Sequence, residues 1–69
     1  MTRNEKIFNA IKKAVSNGVC EWSDIMQSVN EEKITIKNWM VVRGILQWML
    51  DEKMIVRVAD VHKEQYTLA

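Results

Sequence analysis

The chain has one cysteine, Cys20, and one histidine, His62. A single thiol excludes an intrachain disulfide, and without a His/Cys cluster there is no zinc site to expect. His62 has no carboxylate or cysteine partner at ligand spacing, so no metal and no cofactor are expected. No apolar run approaches the ~18 residues of a membrane-spanning helix. The opening Met1-Thr2-Arg3-Asn4-Glu5-Lys6 is not a signal peptide, so a cytoplasmic location with a reduced thiol is expected. Large net charge is absent too: the formal balance is +1. Any binding to nucleic acid would need cations gathered on one face. Catalytic constellations are missing: there is no Gly-rich phosphate loop, no nucleophile beside a base and no carboxylate pair at a working spacing. Glu31-Glu32 and Asp51-Glu52 read as solvated helix ends. The expectation is not an enzyme.

What remains is one domain, residues 1–69, near the lower size limit for folding without a staple. An apolar share of 48% suits a compact core and argues against disorder. The most ordered pattern lies in residues 36–51. Wound at about 100° per residue, Trp39, Val42, Ile45, Leu46, Met49 and Leu50 fall in one arc. The opposite arc carries Lys37, Arg43, Gly44, Gln47 and Asp51, with Ile36 and Met40 among them. Trp48 and Val41 sit on the border. One face is made for burial and the other for water or a polar partner. Gly44 costs about 1 kcal/mol of helix propensity relative to Ala, tolerable where another backbone comes close.

Residues 3–16 predict the first helix, with Ile7, Ala10, Ile11, Ala14 and Val15 on one stripe. Thr2 or Asn4 can cap it, and Asn17 or Gly18 can end it in a left-handed conformation. Lys6, Lys12 and Lys13 read as its solvated face. Residues 19–22 read as a short extended segment, with Cys20 as a small buried residue. A second helix follows, capped by Ser23 and burying Ile25, Met26 and Val29. After the polar stretch 30–34, Thr35 caps the third helix. Two helices joined this way, the later one longer and two-faced, outline a helix-turn-helix. Beyond Asp51 the period changes from 3.6 to 2: residues 54–59 and 65–68 read as strands of a terminal β-hairpin.

This order resembles a winged helix-turn-helix domain. The resemblance covers essentially the whole chain, and its clearest part is Val42-Arg43-Gly44-Ile45-Leu46-Gln47-Trp48-Met49-Leu50-Asp51-Glu52-Lys53-Met54-Ile55. Leu46 and Met49 stand at the core positions of the third helix, and Met54-Ile55 at the entry to the strand. Three departures stand out. Lys53 replaces the usual glycine of the tight turn, the third helix starts about two turns early, and its polar face has only Lys37 and Arg43 as cations.

The resemblance implies an α+β fold, mainly α, with three helices followed by a C-terminal β-hairpin wing. It implies a small stand-alone, phage-like transcriptional regulator that binds duplex DNA in a sequence-specific way. Helix 36–51 would be the recognition helix and hairpin 54–68 the wing. Arg43 and Gln47 would reach base edges. Thr35, Lys37 and Asn38 would hold phosphate or a base at the helix start, with Gly44 allowing close approach. Arg57, His62 and Lys63 would contact phosphate or the minor groove from the wing.

A second expectation competes with this one. Val41, Trp48, Met40 and Ile36 lie outside the core arc, and Trp and Met are enriched in interface cores. That edge would serve a homodimer, or a protein partner if the scaffold has given up DNA.

Overall fold

The computed structural model describes residues 2–58 and 64–69. Within them three helices and a small three-stranded antiparallel sheet make a mainly helical α+β fold.

Helix α1 runs Arg3–Ser16 and starts as the sequence predicts, with Thr2 Oγ1 accepting the Glu5 N–H at 3.2 Å. Its stripe of Ile7, Ala10, Ile11 and Val15 is buried. Gly18 leaves the helix with φ +120°, a conformation open to a residue without Cβ. Strand β1, Cys20–Glu21, follows with the Cys20 side chain in the core. Burial pushes that thiol above its ordinary range, and the Asp24 carboxylate adds to the effect. Its protonated form is thereby favoured, the opposite of a reactive thiolate.

Helix α2, Trp22–Glu31, begins earlier than expected. The Asp24 carboxylate reaches back to accept the Glu21 N–H at 2.8 Å, which makes Glu21 the cap and draws Ser23 into the first turn. Ile25 and Val29 are buried as expected, and Met26 is half-buried. Ser28, buried on the same side, donates to the Ala10 carbonyl at 2.8 Å. A small residue on each helix, Ala10 and Ser28, lets the two backbones approach.

Helix α3 covers Met40–Asp51, not 36–51, so Thr35 is not its cap. Ile34 and Ile36 explain the difference. Both pack partly against the core, and two residues of that spacing reach one side only from extended backbone. Winding the helix from 36 would turn Ile36 toward water. Asn38 then marks the start, its Oδ1 accepting the Met40 N–H at 3.0 Å. From there the apolar arc behaves as predicted: Val42, Leu46 and Met49 are buried, with Trp39, Ile45 and Leu50 packed around them.

The end of α3 sets the direction of the sheet. Lys53 adopts φ 60°, the left-handed conformation usually given to glycine at this point. Its N–H donates to the Leu50 carbonyl at 3.1 Å, and that of Met54 to Met49 at 3.0 Å. The chain reverses into β2, Ile55–Val58, which pairs antiparallel with β3, Gln65–Leu68, placing Ile55 opposite Leu68. Met54 precedes the strand, and residue 59 lies outside the described residues. A third strand was not expected: β1 pairs with β3, Cys20 opposite Tyr66, to give the order β1-β3-β2. The sheet thus clamps the start of α2 to the C-terminal strands, with Ile55 and Tyr66 facing the core.

Candidate nucleic-acid interface

One side of α3 is left uncovered by the core. Met40, Arg43, Gly44 and Gln47 follow one another at helical spacing and are all exposed, Met40 by 75%. Across from them, the register that sets Arg57 of β2 opposite Tyr66 of β3 brings both to the same edge. Between helix and strands lies a groove of about 360 Å³, lined by those four residues together with Leu46, Leu50, Arg57, Glu64 and Tyr66.

The centre of that groove is Glu64. Its Oε2 lies 3.3 Å from Arg43 Nη1, and its Oε1 lies 3.5 Å from Arg57 Nη2. The Tyr66 hydroxyl donates to Oε2 at 3.4 Å. Burial pushes the Tyr66 phenol up from its ordinary range, with the Glu64 carboxylate as the next cause, so the group stays a donor at neutral pH. Arg43 has a second support, because its guanidinium carbon sits 4.3 Å from the centre of the Trp22 ring. Trp22 in turn meets Trp39 edge-on, centroids 6.3 Å apart. A cation on an indole face gains about 0.5–1 kcal/mol at an exposed site. Both ion pairs are solvent-accessible, and such pairs contribute about 0–1 kcal/mol. The indole therefore orients Arg43 at least as firmly as the carboxylate does.

The other expected site residues are spread more widely. Thr35 and Lys37 are exposed on the irregular approach to α3 rather than on the helix, and Asn38 is engaged at its start. Gln47 donates to Asp51 Oδ1 at 3.0 Å along the helix surface. Among the described residues, a Cβ at Gly44 would meet nothing within 4 Å, and no backbone among them explains this glycine. His62 and Lys63 lie outside the described residues.

The second expected surface lies on another flank of α3. Trp48 is 48% exposed and takes the Phe8 ring edge-on at 5.9 Å. A shallow groove of about 320 Å³ runs between them, lined also by Asn4, Glu5 and Ile45. Val41 is half-buried against the core, and Met40 faces the Arg43 groove instead. The edge expected from Val41, Met40 and Trp48 therefore divides between two surfaces.

Trp22, Glu64 and Tyr66 were not anticipated as parts of the site. Period-2 spacing marks Tyr66 as a strand residue, but only the strand register shows which partner it faces. Glu64 carried no signal within a polar connection. Among the described residues no group of three His, Cys, Asp or Glu is placed to hold a metal ion. No helix among them is long and apolar enough to cross a membrane. No protein-family model matches the chain, and no curated protein or solved structure is significantly similar to it.

Proposed function

We propose that the chain is a winged helix-turn-helix domain that binds duplex DNA as a transcriptional regulator, without catalytic activity or cofactor, in the cytoplasm. In this reading α3 enters the major groove and the β2–β3 strands act as the wing. The observation that carries it is the convergence of Arg43 from α3 and Arg57 from β2 on one groove, beside the exposed turn from Met40 to Gln47. Two cations on separate elements suit a phosphate backbone running between helix and wing. Gly44 and Gln47 lie on the same exposed face, where base edges would approach, Gln47 exchanging its bond to Asp51 for one to a base. Thr35, Lys37 and Asn38 lie at the helix entrance, where a neighbouring phosphate would pass.

The test is a titration against random-sequence duplex at two salt concentrations. Affinity should fall tenfold or more between about 50 and 200 mM salt. Absence of binding at the lower salt overturns the reading. A second reading, a protein-interaction module or homodimer using the Phe8–Trp48 edge, is favoured by the half-exposed indole at that groove. Apolar docking of that kind would show little salt dependence, and light scattering would report a dimer directly.

A further inference from the structure

Glu64 stands at the meeting point of donors from three elements and is held loosely by all of them. Arg43 belongs to α3, Arg57 to β2 and Tyr66 to β3, and each lies 3.3–3.5 Å from a Glu64 oxygen. Good charge-assisted bonds are about 2.7–2.9 Å long, so this carboxylate satisfies none of its donors fully. Two of the donors do not depend on it for their positions: Arg43 rests on the Trp22 ring and Tyr66 is buried in the sheet. Arg57 is carried on the strand position opposite Tyr66. Remove the carboxylate and one cation and a hydroxyl remain in place, with a second cation within reach from the neighbouring strand.

We propose that Arg43, Arg57 and the Tyr66 hydroxyl form a phosphate subsite, and that Glu64 is its built-in occupant, displaced when a phosphodiester binds. The proposal rests on the DNA-binding reading given above and names the point at which the backbone would be held. The match is one of chemistry. A phosphodiester carries a single negative charge on two non-bridging oxygens, and an ionised Glu carries a single negative charge on two oxygens. In Glu64 one oxygen serves Arg57 while the other serves Arg43 and Tyr66. A phosphate oxygen in each place would meet the same three donors. Glu64 is itself more than a third exposed, so on displacement it returns to water at little cost. With Glu64 in place the cluster carries one net positive charge. The occupant thus lowers affinity for any anion while keeping the two arginines from repelling each other in the free protein.

Glu64→Gln tests this, because it removes the charge but keeps the shape, and the side-chain amide oxygen can still accept from the partly buried Tyr66 hydroxyl. Binding to a short random-sequence duplex is measured by fluorescence anisotropy at fixed low salt, for the native chain, for Glu64→Gln and for Glu5→Gln. The last makes the same charge change on α1, on the Trp48 side of the molecule. Glu64→Gln should bind roughly tenfold tighter, since the phosphate no longer has to displace a competing anion from the two arginines. Glu5→Gln should gain only about twofold, through the screened field. Tyr66→Phe, which deletes one donor inside the groove, should weaken binding about threefold. Equal gains from Glu64→Gln and Glu5→Gln would overturn the subsite, leaving only an effect of net charge. So would native binding that Arg43→Ala weakens while Glu64→Gln leaves it unchanged, and in that case the DNA reading survives. If neither the native chain nor Glu64→Gln binds duplex at low salt, the DNA reading itself fails and the subsite falls with it.

Discussion

The two sides of α3 are built on different principles. The inner side places Val42, Leu46 and Met49 in the core, toward α1 and β2, where each is fully or nearly fully buried. Its cohesion is non-directional and grows with the apolar area removed from water. The outer side places Met40, Arg43, Gly44 and Gln47 in solvent, and its contacts are few and solvent-accessible. One side holds the fold together and contributes nothing specific to recognition. The other contributes little to stability and is free to serve a partner. Substitutions should therefore separate cleanly along this helix.

The largest effect belongs to the inner side. Leu46→Ala removes a core side chain and should cost about 2–5 kcal/mol, a large share of a total stability of about 5–15 kcal/mol. Urea denaturation followed by circular dichroism reads this directly. A loss below about 1 kcal/mol would mean that α3 does not pack as described.

Arg43→Ala, from the outer side, should do the reverse. Duplex affinity should fall about tenfold, while stability drops by no more than about 2 kcal/mol from the lost indole contact and the exposed ion pair together. The same titration and the same urea curve, run on one preparation, give both numbers. Equal damage to binding and folding would make Arg43 a structural residue.

The contrast between the two sides also decides what could be read from the sequence. Periodicity reports burial, so the α1 stripe and the Val42–Leu46–Met49 stripe were legible at once, as was the change of period at the strands. Thr2 was legible because capping is local chemistry. The start of α3 was not, because Ile34 and Ile36 obey a different period from the helix that follows, and the longer pattern masked the shorter. The third strand was also hidden, since a two-residue segment such as Cys20–Glu21 joins a sheet only through a distant partner. In the candidate groove, Arg43 and Arg57 could be nominated by residue type. Glu64 and Tyr66 could not, because their meeting depends on strand register, which no local pattern encodes.

Smaller effects come from the ends and the middle of the helix. Lys53 adopts φ 60° and Lys33, at the end of α2, φ 57°. A left-handed conformation costs a residue with Cβ about 1–2 kcal/mol, and glycine escapes most of that. Lys53→Gly should accordingly raise stability by about 1 kcal/mol, less whatever glycine gains as freedom in the unfolded chain. An increase in the urea midpoint with an unchanged slope is the expected record, and duplex affinity should barely move. A decrease would show that the turn is held by the lysine side chain and not tolerated in spite of it.

Gly44→Ala is the finest probe, because it acts on both sides of the comparison with opposite signs. Among the described residues the change meets no obstruction, since a Cβ at this position has nothing of theirs within 4 Å. Alanine also favours the helix over glycine by up to about 1 kcal/mol, so stability should rise. On the outer face the added methyl stands beside Arg43, at the floor of the groove. If a DNA backbone or base edge comes as close there as the missing side chain allows, affinity should drop by about threefold, a loss of well under 1 kcal/mol. A more stable variant that binds duplex more weakly would place the partner directly over this turn of α3. A more stable variant with unchanged affinity would leave Arg43 and Arg57 as backbone contacts but move the closest approach away from Gly44, toward the Asn38 end of the helix.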